Sequence, residues 1–346
     1  MKGELAGKRI VLIGGAGFIG HNLALALAAE GARVDIIDGL QVNNLLSFTT
    51  RNEEQLDRDL YLRIISERLS LVSAANIPLH IQDSRDYHGL SHLLGQLDPQ
   101  VVIHLAAVSH AGRSNKDPYS TFDHSLRTLE NALDYARGKV EHFIFLSSSM
   151  VYGNFLKEEV DEEHPLNPIG IYGALKVAGE KIVIAYQQVF NLPYTIIRPS
   201  ALYGPRCVSR RVGQIFIENA LHGQKLRVDG DGSERLDFTY VDDLVYGIGL
   251  VIKKPEARNQ VFNLTYGSSR SIGDLLAILR EHFPDLQLEN VERDKLMPFR
   301  GTLSVQRARE LLGYAPQNPV EVGFPKYIRW YLELMRQVGE GQAREG

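Results

Sequence analysis

The feature that most constrains the fold is an apolar run that ends in glycines, KRIVLIGGAGFIG at residues 8–20. Four consecutive apolar residues followed by glycines are typical of a buried parallel strand and a tight turn. The glycines at 14, 17 and 20 permit a sharp turn, close approach of a ligand to the backbone, and tight packing of the next helix on the strand. The segment therefore predicts a first βα unit that holds a pyrophosphate at the N-terminus of its helix.

A second predicted strand, at residues 33–37, ends at Asp38. A carboxylate at this position can accept hydrogen bonds from the ribose hydroxyls of adenosine, and it would repel a 2′-phosphate. We therefore predict that the cofactor is NAD rather than NADP. A glycine turn with a surface Asp and no ligand is the alternative, which the succession of strand, turn, helix, strand and acid disfavours.

Later strand ends supply further candidate contacts to the cofactor. Asp83 follows a predicted strand at 77–81, where its carboxylate could reach the adenine amino group or instead cap a helix. Small residues at the end of a predicted strand at 101–107 would let a cofactor lie close to the backbone. The cofactor-binding residues predicted from these segments are Gly14, Gly17, Phe18, Ile19, Gly20, Asp38, Asp83, Ser84, Leu105, Ala106 and Ala107.

Strand and helix patterns alternate from residue 8 to about 200, which predicts an α/β fold with a doubly wound parallel sheet. Residues 41–76 interrupt the alternation with a long insertion that is either functional or a surface helix packed on the core. Shorter elements follow and predict a smaller C-terminal α/β lobe that binds substrate. We assign the cofactor domain to 1–200 and the substrate lobe mainly to 201–338, with a segment that could return to the first domain.

The bulk composition excludes several classes of protein. The chain has 346 residues, is 44% hydrophobic and 23% charged, and carries a net charge of −4, so nothing favours nucleic acid or a membrane surface as a partner. One cysteine, Cys207, excludes an intrachain disulfide and a cysteine metal site, and we expect no metal. Neither a signal-peptide pattern nor an apolar run of roughly 20 residues is present, so the expected location is the cytoplasm.

Tyr172 and Lys176 form a Y-x-x-x-K pair whose side chains share one face of a predicted helix. A neighbouring ammonium lowers the pKa of a phenol from its usual value of about 10. Tyr172 could then act as a base, with a serine from the SSS segment at 147–149 orienting the substrate hydroxyl. A surface Tyr/Lys pair beside a serine turn is the alternative interpretation.

Taken together, these segments resemble the extended short-chain dehydrogenase/reductases of the NAD-dependent nucleotide-sugar epimerase/dehydratase family. The matching segments are GGAGFIG at 14–20, Asp38, HLAA at 104–107, SSSMVYG at 147–153, YGALK at 172–176, RPSALYGPR at 198–206, GDGSERLDFTYVDD at 230–243 and FRGTLS at 299–304. The resemblance implies that Ser148, Tyr172 and Lys176 are catalytic and that Tyr172 and Lys176 also bind NAD. It further implies a homodimer formed through the helices at 118–136 and 172–189.

The resemblance also sorts the reaction types. Family dehydratases carry an Asp-Glu pair where this chain has Ser149 and Met150, and decarboxylating relatives carry Glu at the position of Met150. We therefore expect C4 epimerisation of a UDP- or dTDP-hexose through a transient 4-keto intermediate, with NAD regenerated. A 4-ketosugar reductase or a dehydratase of the same family stays open as an alternative. A non-catalytic NAD-binding regulator is disfavoured by the intact Ser148, Tyr172 and Lys176.

The substrate side departs from the family pattern. Ala201, Leu236, His124 and Thr302 stand where the family has Asn, Arg, Asn and Asp. Other arginines could contact the diphosphate, because a planar guanidinium binds phosphate oxygens in pairs; for the arginines at 210 and 211, a solvated basic turn is the alternative. The predicted substrate-binding residues are Ser149, Arg206, Arg210, Arg211, Arg235 and Arg300.

Overall fold

The computed structural model of the chain describes residues 3–48, 58–108 and 111–345. The strands are β1 (Arg9–Ile13), β2 (Arg33–Asp38), β3 (Leu79–Ile81), β4 (Val101–His104), β5 (His142–Leu146), β6 (Glu159–Val160), β7 (Tyr194–Arg198), β8 (Leu202–Tyr203), β9 (Leu226–Asp229), β10 (Arg235–Leu236), β11 (Thr239–Tyr240), β12 (Gln260–Asn263), β13 (Arg270–Ser271), β14 (Leu288–Val291) and β15 (Thr302–Leu303). The α-helices are α1 (Phe18–Ala29), α2 (Arg58–Ala74), α3 (Tyr87–Leu97), α4 (Ala111–Lys116), α5 (Pro118–Phe122), α6 (Thr128–Ala136), α7 (Gly170–Phe190), α8 (Val212–Leu221), α9 (Val241–Lys253), α10 (Ile272–His282), α11 (Gln306–Leu312) and α12 (Val320–Glu345).

Seven parallel strands form the main sheet in the order β12-β7-β5-β4-β1-β2-β3. The chain proceeds outward from β1 in one direction through β2 and β3, and in the other through β4, β5, β7 and β12. The order therefore reverses between β1 and β4, which leaves a crevice at the carboxyl ends of these two strands. The doubly wound parallel sheet predicted from the sequence is confirmed.

Helices cover both faces of this sheet, which is why its strands consist of almost unbroken apolar residues. On one face, Leu23 of α1 and Ile248 of α9 pack with Leu12 of β1 in one apolar cluster. On the other face, Leu94 of α3 and Val183 of α7 lie in a second cluster. The resulting three layers fix the strand ends that carry the candidate site.

The insertion between β2 and β3 packs on the substrate lobe. Tyr61, Ile64 and Ile65 of α2 join the apolar cluster formed by α8, α10 and α12, and the Tyr61 hydroxyl donates a 2.6 Å hydrogen bond to Glu218 of α8. Helix α2 is thus shared between the two halves of the molecule. Residues 49–57 of the predicted insertion, among them Leu56, lie outside the described residues.

Three predicted element bounds shift in the structure. Strand β3 begins at Leu79 instead of residue 77, because Pro78 has no N–H to give to a ladder. Strand β4 ends at His104, which leaves residues 105–107 as a loop at the sheet edge. The sequence also predicts a C-terminal helix at 326–336. Helix α12 begins earlier, at Val320, because residues 320, 324 and 327 share one buried face at helical spacing. A seventh main-sheet strand, β12, comes from the region that the sequence assigned to the substrate lobe.

Candidate active site

A cavity of about 540 Å³ opens at the carboxyl ends of the central strands and extends to the substrate lobe. It begins where β1, β2, β4 and β5 end, which is where ligands bind in doubly wound sheets. The predicted site residues that line it are Gly14, Gly17, Phe18, Ile19, Gly20, Asp38, Asp83, Ser84, Leu105, Ala106, Ala107, Ser148, Ser149, Tyr172, Lys176, Arg210, Arg211 and Arg300. One continuous cavity therefore joins the glycine turn to the Tyr/Lys pair.

The glycine turn leaves room for a dinucleotide. Gly14 adopts φ of +80°, and a Cβ on it would lie 2.6 Å from the backbone nitrogen of Ala106, so no other residue fits there. A Cβ on Gly17 would meet only the carbonyl oxygen of Gly14, at 3.4 Å, so this position is open. Gly17 precedes the first residue of α1, whose free N–H groups can bind a pyrophosphate. The turn fits the NAD that the sequence predicts.

Two carboxylates, Asp38 and Asp83, line the cavity at the ends of β2 and β3. Asp38 accepts hydrogen bonds from the backbone N–H groups of Ala16, at 3.0 Å, and Leu40, at 2.7 Å, and burial raises the pKa of Asp38 above its usual value. Asp83 accepts a 2.6 Å hydrogen bond from Arg85, which holds the pKa of Asp83 below its usual range. The N-cap position of α3 is taken by Asp86 and not by Asp83.

Arg68 is a cavity residue that the sequence reasoning missed. It lies on α2, its side chain is buried, and it donates a 2.8 Å hydrogen bond to the carbonyl oxygen of Arg206. Asp38 lies near enough that its charge favours the cationic form of Arg68. The sequence contains a signal that Arg68 is buried. It follows Leu60 and Ile64 at four-residue spacing and is thus a charged residue on the apolar face of a helix.

Lys176 is held in place beside Tyr172. Its ammonium donates a 2.6 Å hydrogen bond to the carbonyl oxygen of Leu146, the last residue of β5, and lies 5.9 Å from the ring centre of Tyr172. Burial lowers the pKa of Lys176 from 10.5 to about 8, although the nearby carboxylate of Glu180 raises it. A cation is therefore present next to the phenol at neutral pH.

Ser148 and Tyr172 bring two hydroxyl groups to the same wall. The Ser148 hydroxyl oxygen accepts a 3.2 Å hydrogen bond from the backbone N–H of Met150, which fixes its position at the end of β5. Burial raises the pKa of Tyr172 above its usual value, whereas the charge of Arg211 and the hydrogen bond with Ser148 lower it. The phenol stays protonated in this environment until a further positive charge stabilises its anion.

A buried ion pair supports this wall from behind. Glu180 accepts hydrogen bonds from Arg198, at 2.7 Å, and from the Ser147 hydroxyl, at 2.5 Å. Arg198 also donates a 2.9 Å hydrogen bond to the Tyr152 hydroxyl. Glu180 lies on α7 with Tyr172, so the pair ties that helix to the end of β7, and the hydrogen bond from Ser147 ties it to the end of β5, where the serines lie.

Arg206 and Arg235, which the sequence predicts to bind substrate, do not line this cavity. The guanidinium of Arg206 lies 3.0 Å from the carboxylate of Glu67 on α2. Arg235 donates a 2.7 Å hydrogen bond to the carbonyl oxygen of Ser269 and borders a separate pocket of about 260 Å³. The pocket beside Arg235 shares Glu234 and Arg300 with the cavity, and a role of Arg206 and Arg235 in binding substrate stays a prediction.

Two kinds of feature are absent from the described part of the chain. No group of His, Cys, Asp and Glu side chains there is arranged to hold a metal ion. Within the same residues, no helix combines the length and the apolar character needed to cross a membrane.

Comparison with known proteins assigns the chain to a family. Residues 10–265 match the NAD dependent epimerase/dehydratase family. The chain is 28% identical over 328 residues to a protein of Methanocaldococcus jannaschii named for UDP-glucose 4-epimerase, with 93% of this chain and 97% of that protein covered. It is 27% identical over 336 residues to the human dTDP-D-glucose 4,6-dehydratase, with 94% and 90% covered.

A solved structure supports the same family assignment. The UDP-glucose 4-epimerase of Thermotoga maritima, solved with UDP-glucose, superposes with a TM-score of 0.78 at 27% identity, covering 94% of this chain and 99% of that one. The family description agrees with the cofactor predicted from the glycine turn and Asp38, so the NAD prediction is confirmed. The chain belongs to the NAD-dependent epimerase/dehydratase family.

Proposed function

We propose that this protein is an NAD-dependent nucleotide-sugar epimerase that inverts C4 of a UDP- or dTDP-hexose. The observation that carries the proposal is the convergence of Ser148, Tyr172 and Lys176 on one cavity that is continuous with the glycine turn. The names of the relatives from Methanocaldococcus jannaschii and Thermotoga maritima favour epimerisation of a UDP-sugar.

Each of the three residues has a distinct task. Tyr172 takes the proton from the C4 hydroxyl and later returns it, while Ser148 holds that hydroxyl through a hydrogen bond. Lys176 remains cationic at neutral pH and lowers the pKa of Tyr172 towards the value that a base needs. NAD held in this site would supply reversible hydride transfer at C4, which is the chemistry that inversion of that carbon needs.

The neighbours of Ser148 favour epimerisation over loss of water. Ser149 and Met150 both line the cavity, and neither side chain exchanges a proton at neutral pH. Elimination of water from the sugar needs an acid and a base beside C5 and C6. One relative is named as a human dTDP-D-glucose 4,6-dehydratase, so loss of water is the alternative outcome of the test.

NAD would be held along the carboxyl edge of the sheet. Its pyrophosphate would lie against Gly14 and Gly17 at the start of α1, and its adenosine would lie near Asp38 and Asp83. Tyr172 and Lys176 would contact the nicotinamide ribose. Further contacts are proposed for the other cavity residues predicted from the sequence, Phe18, Ile19, Gly20, Ser84, Leu105, Ala106 and Ala107.

The substrate would extend from this end towards α8 and the C-terminal segment. Ser149, Arg210, Arg211 and Arg300 line that part of the cavity and are proposed to bind the sugar nucleotide. Guanidinium groups suit the task because they bind phosphate or carboxylate oxygens in pairs.

A homodimer is also proposed. Tyr119 and Phe122 of α5 and Val189 of α7 are exposed apolar side chains on neighbouring helices, with 84%, 47% and 67% of their surfaces accessible. A second copy that packs the same helices would cover these side chains. Light scattering coupled to size-exclusion chromatography measures the mass, and a monomer at micromolar concentration would refute the dimer.

The function is tested by incubating the purified protein with UDP- and dTDP-hexoses and separating the products by chromatography with mass detection. We expect an isomer of unchanged mass to form without added cofactor. Loss of water would identify a dehydratase instead. Consumption of NADH with 4-keto sugars, and no isomer, would identify a reductase.

A further inference from the structure

The segment at residues 206–211 carries two arginines of the cavity wall and has a strained backbone. Arg210 and Arg211 line the cavity, and the positive charge of Arg211 reaches Tyr172, whose pKa it lowers. Arg206 and Arg210 have φ of +65° and +50°, in the left-handed region that residues other than glycine rarely adopt. A backbone in this state persists only where its surroundings hold it.

Arg68 of helix α2 holds the start of this segment. Its Nε and Nη2 both donate to the carbonyl oxygen of Arg206, the first at 2.8 Å. Its Nη1 donates at 3.4 Å to the carbonyl oxygen of Asn43, a cavity residue in the loop that follows β2. One guanidinium therefore joins α2 to a loop on the cofactor side of the cavity and to the segment on its substrate side.

The contact between Arg68 and the segment is shielded from water. Only 1% of the Arg68 surface is exposed, and the residues after Arg206, Cys207 and Val208, lie in the apolar cluster that contains Ile64 of α2. Apolar burial holds the segment on the helix but has no direction, whereas two hydrogen bonds to one carbonyl oxygen fix the orientation of that peptide. The orientation of this peptide sets the course of the chain towards the two arginines that line the cavity.

We propose that Arg68 is a positioning residue that fixes the segment at 206–211, so that Arg210 and Arg211 are in place before the substrate arrives. The proposal rests on the proposed function, in which these two arginines bind the sugar nucleotide. Among the described residues, the hydrogen bonds of Arg68 go to backbone carbonyl oxygens, so Arg68 acts through the segment. A site that is ordered in advance loses less conformational freedom on binding, which strengthens its affinity for the substrate.

The test is Arg68→Met, which keeps the apolar stem of the side chain and removes its donors. We expect the KM for UDP-glucose to rise about 10- to 100-fold, the loss expected for hydrogen bonds from a charged group. We expect kcat to change less than about 3-fold, because the two arginines bind the substrate and the transition state alike. NAD retained after purification should be unchanged, and Arg68→Lys, which can give one hydrogen bond to the carbonyl, should recover part of the affinity. Arg63→Met, at an exposed arginine of the same helix, is the matched control.

Hydrogen–deuterium exchange tests the same support without substrate. In the wild-type holoenzyme, the backbone amides of residues 207–211 should exchange at least about 100-fold more slowly than in an unstructured chain, because the segment is already held. In Arg68→Met and Arg68→Lys, these amides should exchange faster than in the wild type, whereas Arg63→Met should leave their rate unchanged.

Three results would overturn the proposal. The first is a folded Arg68→Met variant whose KM stays within about 2-fold of the wild type. The second is loss of bound NAD with an unchanged KM, which would assign Arg68 to the cofactor. The third is exchange of the 207–211 amides in the wild type at nearly the rate of an unstructured chain, which decides the question even where Arg68→Met does not fold. Failure of the wild type to epimerise any UDP- or dTDP-hexose would count against the proposed function, and the exchange rates would still decide whether Arg68 holds the segment.

Discussion

The two ends of the cavity differ in how their polar groups are satisfied. At the catalytic end, Lys176 donates to the carbonyl oxygen of Leu146 and Ser148 accepts from the backbone N–H of Met150. At the end near the substrate lobe, Arg300 Nε is shielded from solvent and has no hydrogen-bond partner among the described residues. The first end is complete within the protein, and the second is not.

This difference suggests separate tasks for the two ends: one end would carry out proton transfer, and the other would select the ligand. Groups that take part in proton transfer must already be in position when the substrate arrives, so the protein fixes them with its own hydrogen bonds. Unpaired buried polar groups destabilise a fold by about 1–3 kcal/mol each, and a ligand that pairs them recovers this free energy on binding. The unpaired end is thus the part of the cavity that can discriminate among ligands.

The largest effect is expected from Tyr172→Phe. Removal of the hydroxyl abolishes the base but leaves the ring and the rest of the cavity wall in place. We expect kcat to fall by about 10²- to 10⁴-fold, the usual contribution of general acid–base catalysis. NAD retained after purification, measured after acid release, should be unchanged. Equal turnover by the variant and the wild type would contradict the assignment of the catalytic end.

Lys176→Met removes the cation beside the phenol. We expect the pKa of Tyr172 to rise by about 1–3 units, so the ascending limb of the kcat–pH profile should move to higher pH. In the wild-type protein, the Lys176 ammonium is lost as pH rises through its lowered pKa of about 8, so the support that it gives Tyr172 should weaken above that pH. An unchanged ascending limb in the variant would show that Lys176 does not tune the base.

Gly17→Ala tests the cofactor turn. The added methyl meets only the Gly14 carbonyl oxygen, at 3.4 Å, so the fold should tolerate it. It would occupy space proposed for the pyrophosphate, and overpacking of about 1–3 kcal/mol predicts an NAD affinity about 5- to 150-fold weaker. Calorimetric titration measures the affinity and thermal melting checks the fold. Gly95→Ala on α3 is the control, because nothing lies within 4 Å of its added methyl. Equal NAD affinity in both variants would remove Gly17 from the site.

The smallest effect is expected from Arg206→Met. Arg206 pairs with Glu67 outside the cavity, and the two side chains are 21% and 35% exposed. Loss of such an exposed ion pair should lower the free energy of unfolding by about 0.2–1 kcal/mol. We expect KM to stay within about 2-fold of the wild type; a larger rise would support the substrate-binding role that the sequence predicts for Arg206. Urea unfolding and initial-rate kinetics provide the two measurements.

Helix α2 shows what a sequence pattern leaves undecided. The pattern at residues 41–76 fits either a functional insertion or a surface helix. In the structure, the helix packs on the substrate lobe through Tyr61 and brings Arg68 into the cavity wall. Arg68 contacts the carbonyl oxygen of Arg206, which is 138 residues away along the chain. The spacing of apolar residues along α2 cannot predict this contact, because the partner is distant in sequence.

By itself, the sequence determined the features that depend on neighbours along the chain. The glycine turn, the acid after β2 and the i, i+4 spacing of Tyr172 and Lys176 are each fixed by the geometry of one turn, strand or helix. The alternation of strands and helices likewise gave the doubly wound sheet, apart from the bounds of individual elements and strand β12.

The tertiary structure decided which arginines reach the cavity. A long, flexible side chain on a loop takes the direction of its strongest partner, and such partners are distant in sequence. Glu67 pairs with Arg206, the carbonyl oxygen of Ser269 holds Arg235, and Arg300 lines the cavity in contact with the Met150 sulfur. The charges that would select the substrate therefore emerge only when distant segments pack together.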